Sequence, residues 1–73
     1  MFKRGDLVMS RNGEWGWVER FGGPACAPWA MVRNIDGYAQ SFGLHGLRRP
    51  EPDRDWEIFA NIEEAQQLRQ AAE

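Results

Sequence analysis

Apolar and polar residues alternate in short runs along the first part of the chain, and turn-forming residues separate the runs. Residues 7–10 are apolar and β-branched enough for a first strand, and the Asn-Gly pair that follows is typical of a tight hairpin. The return strand is expected over residues 15–21, where alternation places Trp15 and Trp17 on the same face. Because Gly16 between them has no side chain, it indicates a bulge or the close approach of another strand.

The middle of the chain predicts a long loop and a second hairpin. Residues 22–28 contain two glycines and two prolines, which cost entropy and remove backbone donors, so we expect the longest loop there. Residues 29–34 predict a third strand, and the Asp-Gly pair after them indicates a turn into a fourth strand over residues 38–42. Residues 43–49 are expected to form a single helical turn that ends in a last β-bridge.

The C-terminal part begins at residues 50–53, Pro-Glu-Pro-Asp, through which neither a helix nor a strand can continue. Residues 56–59 alternate briefly and are expected to be a short extended segment, either a closing strand or a segment that docks on the barrel. Asn61 and Glu64 have the spacing of a helix N-cap and its capping box, which predicts that a helix begins at Asn61. Its narrow apolar stripe comprises Ile62, Ala65, Leu68 and Ala72. A helix of about three turns must pack on another element to be stable.

Together these elements predict a mainly β fold, a small five-stranded antiparallel barrel over residues 1–50. Residues 51–73 would supply the proline-containing connection, the extended segment and a short C-terminal α-helix packed on the barrel, all within one domain. A flat sheet of such short strands would leave its edges unpaired, so a strongly bent sheet fits better.

One family resemblance lies in the first hairpin, in Gly5-Asp6-Leu7-Val8, Gly13 and Gly16-Trp17-Val18. This pattern resembles the opening hairpin of SH3-like barrels, which occurs in KOW-type and Tudor-like modules and in many small bacterial and phage proteins. The likeness covers about residues 3–49. It implies an SH3-like fold, and many unrelated functions share that fold.

A second resemblance concerns Ala-Gln-Ser-Phe at residues 39–42, followed by Leu47. It is similar to Val-Gln-Ile-Tyr followed by a leucine in the plasmid-borne type II dihydrofolate reductases, SH3-like barrels that assemble as tetramers around one active pore. Gln40 is kept, Phe42 replaces the tyrosine, Ser41 replaces the isoleucine, and the pore lysine of the family would align near Ser10. These departures fall on positions that would bind cofactor and folate, so the resemblance implies a shared barrel, with a reductase-like pore enzyme as one alternative.

Composition narrows the class of protein. With 73 residues, 42% of them hydrophobic and 27% charged, the chain is in the globular range, and so small a core makes self-association a natural supplement to stability. No apolar run is long enough to span a bilayer and no signal peptide is evident, so we expect a cytoplasmic protein without membrane contact. The lone Cys26 has no partner at metal-ligand spacing, and neither a metal nor a cofactor is expected.

Charge is distributed unevenly. Residues 1–50 hold seven basic and four acidic residues, a net charge of +3, whereas residues 51–73 hold two basic and seven acidic residues, a net charge of −5. Arginines beside aromatic rings can contact phosphates and stack on bases, which makes nucleic-acid binding an alternative. An overall isoelectric point near 5.3 argues against a dedicated duplex DNA binder.

Aromatic residues are the strongest functional signal, since nine of the 73 residues are Trp, Phe or Tyr and so small a barrel can bury only about half. We therefore expect a non-enzymatic module that recognises a protein segment, or associates with itself, through an aromatic and arginine-bearing surface. The predicted binding residues are Trp15, Trp17, Arg20, Trp29, Arg33, Tyr38, Gln40 and Phe42. The alternative is that these rings are core, or the surface on which the C-terminal helix docks through Trp56 and Phe59.

Overall fold

A computed structural model describes residues 2–72, with side chains described up to Leu68. The elements, in chain order, are β1 (Leu7–Ser10), β2 (Trp15–Gly22), β3 (Trp29–Arg33), β4 (Ala39–Gly43), a 3-10 turn (Leu44–Gly46), β5 (Leu47–Arg48) and α1 (Trp56–Ala72). Each predicted strand is present, with ends that differ by a residue or so. The mainly β class, with a single C-terminal helix, is therefore confirmed for this part of the chain.

The five strands form one antiparallel sheet in the order β4-β3-β2-β1-β5. The first four strands run as a meander, and β5 returns through the 3-10 turn to pair with β1. A bulge between Val18 and Arg20 shifts the register of β2 against β3. Within the described residues β4 and β5 are not paired with each other, so the sheet is open.

The core lies on one face of this sheet. Neighbouring strands supply small and branched side chains that are almost fully buried: Val8, Val18, Ala30, Val32 and Leu47. Phe2, Phe42 and Leu44 pack against this cluster and are partly exposed. The opposite face carries Met9, which is also buried and which lines a small cavity together with Ile58 of α1. Helix α1 thus lies against a part of this opposite face, around Ile58.

Gly16 lies where two strands come close together, as its position between two tryptophans predicts. A Cβ atom at this position would lie 2.8 Å from the carbonyl carbon of Arg33 and 2.9 Å from Cγ1 of Val32. Because one of these neighbours is backbone, it cannot yield as a flexible side chain could. Only glycine fits here without a shift of β3.

Helix α1 begins at Trp56, so the predictions of an N-cap at Asn61 and of an extended segment over residues 56–59 are wrong. The amide of Arg54 and that of Asp55 both donate to the carbonyl of Glu51, which makes a turn that leads directly into the helix. The helix then starts early enough to bury Ile58 against the sheet. Burial of an apolar side chain outweighs a local capping preference at an exposed position.

The apolar stripe of α1 reaches the sheet only over part of its length. Ile58 is buried and Ile62 and Ala65 are half-buried, but Leu68 is 65% exposed, and the side chain of Ala72 lies outside the described ones. Trp56 and Phe59, the predicted anchors, are 61% and 37% exposed, so Ile58 takes that role. The radius of gyration is 13.2 Å, against about 11 Å for a compact chain of this length, because the helix extends beyond the sheet.

Within residues 2–72 no helix is long and apolar enough to cross a bilayer.

Candidate functional site

A groove of about 440 Å³ opens between the β1–β2 hairpin and the β3–β4 turn. Its walls bring together four of the predicted binding residues, Trp15, Tyr38, Gln40 and Phe42. Other lining residues are Gly13, Glu14, Val32, Asn34, Ile35, Asp36, Ala39 and Asn61. Tyr38 is the most exposed of the predicted aromatic residues, since 75% of its surface is accessible to solvent. The groove therefore combines three aromatic side chains with three side-chain amides and two carboxylates.

The β3–β4 turn that carries Tyr38 is held by hydrogen bonds of one asparagine. Oδ1 of Asn34 accepts the backbone N–H of Asp36 at 3.0 Å and that of Tyr38 at 2.9 Å. Gly37 has a φ of 92°, a value that glycine adopts without strain. Residues of the turn itself thus fix its conformation, and they hold the backbone of Tyr38 at the edge of the groove.

Arg33 braces the same turn from β3. Its guanidinium donates two hydrogen bonds to the carboxylate of Glu19 on β2 and a third to the carbonyl of Gly37, at 2.5 Å. The hydrogen bond from Arg33 lowers the pKa of Glu19, and the same bond raises the pKa of Arg33. Arg33 is therefore engaged within the chain, and its part in a binding surface stays a prediction.

A second pocket of about 290 Å³ adjoins the groove and contains Trp17 and Arg33. It shares Asn34 and Ile35 with the groove, and its other wall is Ile62, Ala65 and Gln66 of α1. The rings of Trp15 and Trp17 meet edge to face, with centroids 5.8 Å apart. Both tryptophans are half-buried beside the helix, so the structure supports the alternative that they help to dock it.

Trp29 and Arg20 lie away from the groove. The guanidinium carbon of Arg20 is 5.6 Å from the centre of the Trp29 ring, a cation–π geometry. The ring of Trp29 lies against Gly22 and Gly23, and it occupies the space that a side chain at either position would take. The predicted surface is thus divided into the groove, the adjoining helix pocket and this separate pair.

The two acidic residues of the groove, Glu14 and Asp36, were not predicted as binding residues. Among the described side chains, those of residues 2–68, neither carboxylate has a hydrogen-bond or ion-pair partner, and no lysine or arginine lines the groove. Glu14 directly follows the Asn-Gly turn signal, and Asp36 is the aspartate of the Asp-Gly signal, both of which are visible in the sequence. That those two turns lie side by side depends on strand order and register, which single-sequence patterns do not specify.

No known protein is similar enough to this chain to assign a role to the groove. Comparisons of the chain with protein-family models, with curated proteins and with solved structures found no match. The resemblances to SH3-like barrels and to type II dihydrofolate reductases therefore stay predictions from the sequence, and function has to be argued from the groove itself.

Proposed function

We propose that this chain is a non-enzymatic binding module that takes up a segment of another protein in the groove between the β1–β2 hairpin and the β3–β4 turn. The observation that carries the proposal is the exposure of Tyr38 on a fixed turn, beside Trp15, Phe42 and the amide of Gln40. Rigid aromatic side chains offer a large contact area at a small cost in side-chain entropy, which suits peptide recognition.

The open edge of the sheet supports an extended segment as the ligand. In the described residues β4 is hydrogen-bonded to β3 on one side only, and it contributes Ala39, Gln40 and Phe42 to the groove. An edge strand has backbone donors and acceptors that a further strand can use. Backbone pairing along β4 would give affinity, while the groove would select side chains.

We further propose that the sheet is an SH3-like barrel. Support comes from the meander of four strands, from the return of β5 to β1 through a 3-10 turn, and from the bulge that bends β2 around a core on one face. Such a fold hosts many functions, so the fold does not decide between ligands.

Nucleic-acid binding has less support from the charges. Arg33, Arg48 and Arg49 each form an ion pair with a carboxylate of the chain. The groove, whose aromatic rings could stack bases, contains two carboxylates and no cationic side chain. Phosphates would be repelled where the rings are most exposed.

The test starts from a phage-displayed library of random peptides selected on the purified full chain. Peptides that bind are synthesised and titrated into the isotope-labelled protein, and NMR shift changes are expected at Trp15, Tyr38, Gln40 and Phe42. Tyr38→Ala should weaken binding by about tenfold or more, because exposed tyrosines of this kind are frequent hot spots. Leu68→Ala is the matched control, since Leu68 is also a large exposed side chain but is absent from the groove. Failure to select any peptide, or shift changes centred on α1, would overturn the proposal.

A further inference from the structure

The groove differs in charge from the rest of the sheet. Residues 1–50 have a net positive charge, and the neighbouring carboxylates are already paired, Glu19 with Arg33 and Asp6 with Arg49. Glu14 and Asp36 line the groove with no partner among the side chains of residues 2–68. The groove is therefore a negative site on a positively charged part of the molecule.

Both carboxylates lie on turns that internal hydrogen bonds hold in place. The carbonyl of Glu14 accepts the N–H of Ser10 at 2.7 Å, which closes the β1–β2 hairpin. The N–H of Asp36 donates to Oδ1 of Asn34 at 3.0 Å. Because the backbone of each acidic residue is fixed, a ligand would not have to order the turns on binding.

We propose that the segment bound in the groove presents a lysine or arginine side chain, with its cation held by Glu14 and Asp36 and its methylene stem packed on Tyr38. This inference rests on the proposed function and specifies the class of ligand. Long cationic side chains bury their stems on apolar surfaces while the charged end stays near polar groups, and aromatic faces attract cations. A neutral segment would leave both carboxylates partly desolvated and unpaired, and an acidic one would be repelled.

The experiment repeats the selection from the random peptide library with three proteins: the unaltered chain, the E14Q/D36N variant and the D53N/E63Q variant. The last is the matched control, because it removes the same two charges at exposed positions that do not line the groove. We expect lysine and arginine to be enriched in the peptides selected by the unaltered chain and by D53N/E63Q. Enrichment should be lost with E14Q/D36N.

Affinity measurements on a selected peptide complete the test. E14Q/D36N should bind it about tenfold more weakly, and D53N/E63Q should bind it about as well as the unaltered chain. Replacing the basic residue of the peptide with norleucine should weaken binding to the unaltered chain and have little effect on E14Q/D36N. Raising the salt from about 0.05 M to about 0.5 M should likewise weaken binding only where the carboxylates are present.

The outcomes separate the two proposals. If no peptide is selected, or if Tyr38→Ala binds as well as the unaltered chain, the binding module itself is wrong. If peptides bind in the groove but carry no basic residue, or bind E14Q/D36N equally well, the module stands and the cationic ligand is overturned.

Discussion

Arg48 on β5 donates two hydrogen bonds to Asp55, the residue immediately before α1, at 2.9 and 3.1 Å. The same carboxylate accepts the backbone N–H of Glu51 at 2.8 Å. One side chain thus fastens the last strand, the proline-containing connection and the start of the helix to each other. These hydrogen bonds, first that of Arg48 and then that of the Glu51 amide, lower the pKa of Asp55 to about 2.

The stability of the folded chain should therefore decrease at low pH, over a range set by Asp55. The pKa of Asp55 in the folded state lies below its value of about 3.9 in an unfolded chain, so its ionised form favours folding. That contribution is complete above about pH 4 and is lost as the pH falls towards 2. We expect Tm, followed by circular dichroism, to drop over this interval.

The variant Asp55→Asn should be less stable at pH 7 and should show a shallower decrease between pH 4 and 2. Some decrease would persist, because Arg33 also lowers the pKa of Glu19. Asp53→Asn, an exposed position two residues earlier, should keep the full decrease. An equally steep acid decrease in Asp55→Asn would contradict the role given to this residue.

Ile58 should be the residue on which docking of the helix depends. It is only 7% exposed, and truncation of a buried isoleucine to alanine costs about 2–5 kcal/mol, which is comparable to the whole stability of so small a domain. Ile58→Ala should release α1, lower the helical circular dichroism signal and shift the tryptophan emission to longer wavelength as Trp15 and Trp17 become exposed. Leu68→Ala should change the free energy of unfolding by less than about 0.5 kcal/mol. Unchanged emission in a folded Ile58→Ala variant would contradict the docking described here.

Two glycine positions give a further matched pair. Gly16→Ala would force a methyl group against the backbone of β3 and should destabilise the chain by about 1–3 kcal/mol or more. Gly43→Ala is the control, since a Cβ there meets nothing within 4 Å and its backbone is extended. Denaturant unfolding of the two variants checks the difference. Equal stabilities would mean that β2 and β3 are not as close as described.

Mass in solution tests whether the chain needs to assemble. A module that binds a peptide in its own groove requires no second copy, so light scattering should give a mass near 8.4 kDa at both low and high salt. A salt-insensitive tetramer would favour a shared central pore, as in the reductase resemblance, and would overturn the single-chain groove. In that event titration with a nicotinamide cofactor becomes the next measurement.

The binding residues show how far sequence patterns reach. Alternation identified Trp15 and Trp17 as neighbours on one face, and the structure has their rings in edge-to-face contact. Tyr38 and Trp29 were predicted to share a surface, yet only Tyr38 lines the groove, while Trp29 pairs with Arg20 elsewhere. A pattern of period two assigns a residue to a face of its strand but not to a position across the sheet.

The sequence by itself determined the strands, the hairpins and the loop between β2 and β3, because alternation, Asn-Gly, Asp-Gly and proline act over a few neighbouring residues. It did not determine which loop is longest, since the connection between β5 and α1 is longer than the loop predicted at residues 22–28. Only the tertiary structure decided where α1 begins and what the groove contains. The helix begins before the capping signal at Asn61, because burial of Ile58 and the hydrogen bonds between Arg48 and Asp55 favour an earlier start. Both interactions involve parts of the chain that the capping signal does not include. Glu14 and Asp36 line one groove because the order and antiparallel pairing of the strands put two separate turns at the same end of the sheet, and such long-range contacts depend on how the whole chain packs.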